Sequence, residues 1–216
     1  MQTSLPASGG PTEGRLGVLR DSLAQFPIDA RVPNWLWESG ILMLAHFSSV
    51  DGSSPAADFA KHHPDEFAWS QPDGAYFYTR YQFRELVRRF PSHDRADDAA
   101  YRLADPVEGG ECEGYVPCYI EYRGAFTGLN AFLTQFPKSE YAGEAVGRAN
   151  DAFTSNLADA LAHPDGFETL SPQTVDSLLK AYSATAARLP DSLRARAQAG
   201  IDSARQMLDS LARAHP

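Results

Sequence analysis

Two stretches decide the fold: Phe83-Arg84-Glu85-Leu86-Val87-Arg88-Arg89-Phe90-Pro91-Ser92, which leads into Ala96-Asp97-Asp98-Ala99-Ala100-Tyr101-Arg102, and Leu129-Asn130-Ala131-Phe132-Leu133-Thr134-Gln135-Phe136-Pro137-Lys138-Ser139, which leads into Ala142-Gly143-Glu144-Ala145-Val146-Gly147-Arg148. Counted back from each proline, Phe83 and Val87 match Leu129 and Leu133, and the Phe before the proline completes one apolar stripe at helical spacing. Proline then stops the helix, because it has no N–H and disfavours helical geometry in the residue before it. Past the proline, Ala96, Asp98, Ala99 and Arg102 fall on Ala142, Glu144, Ala145 and Arg148. Each second helix therefore carries a small-residue face for close packing. Each also carries an acid four residues ahead of an Arg, a pair that adds ~0.3–0.5 kcal/mol when it forms. The unit is helix, turn, helix, and it occurs twice.

Weaker copies flank these two. Leu19 and Leu23 precede Phe26-Pro27, and Tyr182 and Ala186 precede Leu189-Pro190; the last copy keeps Ala195 and Ala199 in its second helix, whereas after Pro27 the match fails at Val32-Pro33. Extending the same periodicity predicts helices over about 13–26, 35–47, 56–62, 75–90, 94–104, 118–136, 140–162, 172–189 and 192–214. Ser92, Ser139, Ser171 and Asp191 offer the short oxygen acceptors that helix N-termini need. Composition agrees: of 216 residues, 32 are Ala and only 12 are Val or Ile, so good helix formers far outnumber β-branched residues. The expected fold is all-α, an irregular stack of helical hairpins. It divides into an extended segment at 1–12, an irregular helical region at 13–74 and the repeats at 75–216, with a Cys-containing connector at 105–117.

Nineteen basic against twenty-eight acidic residues leave a net charge of -9, which repels phosphate backbones and argues against nucleic acid as a partner. The longest apolar run, around Ile41 to Ala45, is far below the roughly 20 residues that span a bilayer, so direct membrane insertion is not expected. The start of the chain has neither the basic nor the apolar segment of a signal peptide. The two cysteines, Cys112 and Cys118, share one Gly-rich connector, where a disulfide would be worth about 2 kcal/mol and would imply an oxidising compartment; the alternative is two reduced thiols in the cytosol.

The phrase ending in Phe90-Pro91-Ser92, with its Ala-rich second helix and the copy at Phe136-Pro137-Lys138-Ser139, resembles the tetratricopeptide-like units of bacterial envelope proteins. These include the outer-membrane β-barrel assembly lipoproteins and the periplasmic partner of the Tol-Pal system. The resemblance covers about residues 75 to 155. It implies a non-catalytic scaffold or accessory subunit that binds protein partners in a membrane-associated complex, in the periplasm and peripheral to the membrane, without a cofactor. Unlike the lipoproteins, the chain shows no cysteine near its start, and the repeats exceed the ~34 residues of a regular tetratricopeptide unit.

Seven aromatic rings crowd into Phe67, Trp69, Tyr76, Phe77, Tyr78, Tyr81 and Phe83, more than one helix face can bury. Arg80, Arg84 and Arg88 recur at helical spacing beside them, a basic stripe suited to partner carboxylates or relieved by Glu85. These rings either fill the core between the irregular N-terminal region and the first repeat or meet a partner; the expected partner surface is Trp69, Tyr76, Tyr78 and Tyr81 with Arg80, Arg84 and Arg88. His62, His63, Asp65 and Glu66 place four ligand types within five residues, but adjacent histidines rarely converge on one ion, so no metal is expected. Trp37-Glu38-Ser39-Gly40 resembles the catalytic Glu-Ser of lytic transglycosylases, which gives an alternative reading as an envelope polymer-cleaving enzyme with Glu38 as general acid. A cytosolic helical adaptor is the other alternative.

Overall fold

The computed structural model of the chain describes residues 11–106, 115–162 and 171–214. The expected extended segment therefore lies outside the described residues up to position 10, and so does Cys112 in the connector. The fold is all-α apart from one small sheet. Its helices are α1 (Pro11–Gln25), α2 (Val32–Phe47), α3 (Ala57–His62), α4 (Tyr81–Arg89), α5 (Ala96–Ala104), the single turn α6 (Val116–Cys118), α7 (Phe126–Gln135), α8 (Ala142–Ala162), α9 (Pro172–Ala186) and α10 (Asp191–Ala214). The chain divides into two compact units, 1–103 and 104–216.

The first unit holds the departure from the helical expectation. Strands β1 (Ser49–Asp51), β2 (Phe67–Ser70) and β3 (Ala75–Tyr78) form an antiparallel sheet in the order β1-β3-β2. The helix expected over 75–90 is thus a strand for its first four residues. Aromatic runs favour strands, and Pro72-Asp73-Gly74 between them supplies hairpin-turn chemistry, with Gly74 at a φ of +60°. Ser70 Oγ donates to Asp73 Oδ2 at 2.6 Å and fixes the turn. The chain leaves β3 for α4 through Arg80, whose φ of 60° breaks the extended run. Beneath the sheet lies a core of Leu16, Met43, Phe47, Val50, Phe59, Phe67 and Tyr78.

Both decisive stretches adopt the same turn. Phe90 and Phe136 end their helices at φ −135°, ψ 55° and φ −126°, ψ 59°, each donating its N–H to a carbonyl four residues back at 2.8 Å. In each turn the Phe carbonyl then accepts the N–H of the third residue on, His93 at 3.0 Å and Ser139 at 3.1 Å. Those residues in turn accept the N–H of Ala96 at 2.9 Å and of Ala142 at 3.0 Å. His63 before Pro64 ends α3 at φ −125°, ψ 63°, as expected where proline excludes helical geometry from its predecessor. The stripe is largely core: Leu19, Phe83, Leu129, Leu133, Tyr182 and Ala186 are buried, but Phe26 is 52 % exposed.

Two further expectations are corrected. Asp98 pairs with Arg95 at 2.8 Å rather than with Arg102, and Arg148 pairs with Asp105. Both Arg95 and Arg102 lie over the Trp37 ring, 5.4 Å from its centre, a cation–π arrangement that draws Arg102 away from Asp98. The single helix expected over 118–136 is broken into α6, a π-helical turn at Tyr119–Arg123, and α7, because Ala125 takes the left-handed conformation at φ 57°. In the second unit α8 packs against α7 and α10, and α10 also against α9. Gly200 faces the Asn150 side chain so closely that it leaves no room for a Cβ. Asn150 Nδ2 donates to the Arg196 carbonyl and its Oδ1 accepts the Tyr182 hydroxyl at 2.9 Å.

Candidate functional site

Strand periodicity places Phe67, Trp69, Tyr76 and Tyr78 on one face of the hairpin, where they form two directly opposed cross-strand pairs. At the inner end Phe67 meets Tyr78 with ring centres 6.2 Å apart, both buried in the core. At the outer end Trp69 meets Tyr76 at 4.8 Å, and Trp69 stays 48 % exposed. The indole lies against Gly52, whose missing side chain makes room for it: a Cβ there would sit 2.8 Å from the ring. Trp69 is thus a held, half-open aromatic on a hairpin, the kind of rigid amphipathic anchor that dominates protein interfaces.

The other expected partner residues divide differently. Tyr78 is only 2 % exposed and gives its hydroxyl proton to Gln82 Oε1 at 2.5 Å, which removes it from any exposed surface. Burial pushes its phenol well above the ordinary range. Tyr81 is half-buried, and burial together with Glu85, Asp65 and Glu66 raises its phenol too. Arg84 folds back to donate to the Thr79 carbonyl and hydroxyl at 3.3 and 3.1 Å. Arg88 binds Glu85 through two bonds of 2.9 and 2.6 Å, which hold that carboxyl below its usual range. The Arg stripe is therefore partly neutralised within its own helix, and Arg80 occupies the left-handed entry to α4.

A polar cluster under the hairpin was not foreseen from the sequence. Glu66 is 8 % exposed; its Oε2 accepts from Arg20 Nη1 at 2.8 Å and Gln82 Nε2 at 2.7 Å, and its Oε1 lies 2.8 Å from Arg20 Nη2. Arg20 Nη2 also reaches His63 Nδ1 at 3.0 Å, and its guanidinium lies over the Phe59 ring at 5.0 Å. The chain Tyr78–Gln82–Glu66–Arg20–His63 thus links β3, α4, the loop before β2, α1 and the end of α3. The one sequence signal for it was Gln82, a polar residue four places after Tyr78 and next to the buried Phe83. Among the described residues no cluster of three or more acids, histidines or cysteines could hold a metal ion, and the oxygens of Glu66 are committed to Arg20 and Gln82.

Glu38 sits at the surface in a bidentate pair with Arg15, both bonds 2.6 Å. That guanidinium holds the carboxyl below the ordinary glutamate range. A general acid needs the opposite shift, produced by a dry pocket. Ser39, one residue on, is fully buried, its hydroxyl without a hydrogen-bond partner. Gly40 abuts Phe83, so Trp37–Gly40 has a packing role between α2 and α4. Cys118 ends α6 beside the buried Pro117 and Ile120, while its expected partner Cys112 lies outside the described residues. Among the described residues no helix is long and apolar enough to cross a membrane. No described protein family, curated protein or solved structure matches the chain.

Proposed function

We propose that the chain is a non-catalytic interaction scaffold or accessory subunit that docks onto a protein partner in a membrane-associated complex of the bacterial envelope. The reading places it in the periplasm, held at the membrane through that partner. The observation that carries the docking role is the Trp69–Tyr76 pair: an indole fixed against Gly52 and yet 48 % exposed on an otherwise packed aromatic face. The common turn after Phe90 and Phe136 supports reading the helices as irregular tetratricopeptide-like units, which present extended surfaces to protein ligands. The envelope assignment rests on the sequence resemblance and on the expectation that Cys112 and Cys118 are bridged, as they would be in an oxidising compartment.

Two experiments test the two halves. Chains that co-purify with the wild type from the native membrane fraction are compared with those that co-purify with Trp69→Ala. Loss of a specific partner supports the docking face, and full retention of every partner removes it. Mass measurement of the native chain with and without reductant tests the bridge. A gain of two hydrogens on reduction supports the oxidising compartment, and an unchanged mass favours the cytosolic adaptor. The Glu38 enzyme reading is opposed by the Arg15 pair.

A further inference from the structure

The contact between Arg20 and His63 fixes the protonation state of the imidazole. A guanidinium can only donate hydrogen bonds, so His63 Nδ1, 3.0 Å from Arg20 Nη2, must be the bare acceptor nitrogen, and the ring proton sits on Nε2. Nε2 is buried and has no hydrogen-bond partner. The imidazole is thus held neutral by one bond, between a charged neighbour and a dry wall formed in part by the Phe59 ring, 4.4 Å away.

A second proton would go onto Nδ1. It would abolish the acceptor, aim an N–H at the Arg20 guanidinium and place two cations in contact. The groups facing His63 are Arg20 from α1, Glu66 from the loop before β2, and His62 from α3; Gln82 of α4 and Tyr78 of β3 stand behind Glu66. Glu66 is the acid in reach, but its nearer oxygen is 3.9 Å from Nδ1, and both its oxygens already serve Arg20 and Gln82. We propose that Arg20, His63 and Glu66 form an acid-sensitive clasp, which holds α1 against the end of α3 and the hairpin while the imidazole is neutral and releases it when the imidazole takes a proton.

Burial first, and then Arg20, pull the His63 pKa below its ordinary value, against the opposing effect of Glu66. In the unfolded chain the same group titrates near about 6.5. The contribution of the clasp is therefore complete above about pH 6.5 and is lost as pH falls through the lower folded value. Release would free the side of α1 that buries Leu16 and Leu19, both at most 1 % exposed.

The test is imidazole nitrogen NMR of the full chain through a pH titration, with amide hydrogen exchange of α1 followed at each pH and corrected for intrinsic rates. The expected result is a neutral His63 protonated on Nε2 with a midpoint below the ordinary value. Exchange in α1 should rise as the ring protonates, by about tenfold for each unit of depression. In His63→Gln, where an amide oxygen can still accept from Arg20 but does not titrate, that rise should vanish. Arg20→Gln should raise the His63 midpoint, since it removes a neighbouring cation and leaves Glu66 in place. A proton on Nδ1, a midpoint at or above the ordinary value, or α1 exchange that ignores the titration would each overturn the clasp.

Discussion

Replacing Gly40 by Ala tests the packing of the first unit at its tightest point. A Cβ on Gly40 would lie 2.7, 2.9 and 3.0 Å from three consecutive atoms of the Phe83 ring, where ordinary contact begins at 3.4 Å. The ring would have to retreat by roughly 0.7 Å, and it is walled in: Phe83 has no exposed surface and packs against Trp37 at 5.4 Å. Overpacking of this kind costs ~1–3 kcal/mol, while exchanging Gly for Ala inside a helix returns ~0.8–1 kcal/mol. Gly40→Ala should therefore lose up to ~2 kcal/mol net instead of gaining as an open helical site would. Gly17 on α1 provides the control, since nothing lies within 4 Å of its added Cβ. Gly17→Ala should stabilise by ~0.5–1 kcal/mol. Urea titration followed by tryptophan fluorescence reads the first unit alone, because Trp35, Trp37 and Trp69 all lie within it. If Gly40→Ala gains stability as Gly17→Ala does, the close approach of α2 and α4 is wrong.

Other outcomes follow from single contacts. Gln82→Leu strands the buried hydroxyl of Tyr78 and removes one of the three bonds to the Glu66 carboxylate, which keeps its two to Arg20, and should cost the first unit ~1–3 kcal/mol in the same urea assay; no measurable loss would show that the polar cluster is not formed. Tyr182→Phe removes the hydroxyl bonded to Asn150 and should lower stability of the second unit by ~0.5–1.5 kcal/mol, read from the far-ultraviolet circular dichroism transition. Glu38→Gln removes the Arg15 pair, whose carboxyl is held below its usual value, so any stability it adds is present above the unfolded glutamate pKa of about 4.3 and is lost as pH falls through the folded value. The wild type should accordingly show slightly more acid sensitivity below pH about 4.3 than Glu38→Gln, and equal curves would show that the exposed pair contributes nothing measurable.

The helical framework was legible because its signals are local. An apolar stripe at positions eight and four before a proline, and a proline that ends each run, place α4, α7 and α9 and the turns after α4 and α7 without any long-range information. The hairpin was legible in principle, since Pro72-Asp73-Gly74 lies between two aromatic runs. Carrying the helical count back from Pro91 as far as Ala75 overran that signal. The break before α7 had no such signal: Ala125 is a good helix former and yet takes the left-handed conformation at φ 57°. The ion pairs read from helix spacing failed because residues outside each helix compete: the Trp37 ring lies under Arg102, and Asp105 binds Arg148. Within the candidate site, sequence pointed to the aromatic cluster but not to which ring stays open. That is decided by cross-strand register, which buries Phe67 and Tyr78 and leaves Trp69 beside Gly52. The Arg20–Glu66–Gln82 network joins residues 46 and 16 positions apart, and Gln82 beside the buried Phe83 is too slight a local sign to reveal its partners.

The docking role stands or falls with the open indole. A photo-crosslinking tryptophan analogue placed at position 69, which keeps the indole ring, and activated in the native cell should trap a discrete protein adduct. The same probe at Gln198, an exposed site on α10, should not. An adduct specific to position 69 is the result the account predicts. No adduct at 69, or the same products from both positions, would contradict it.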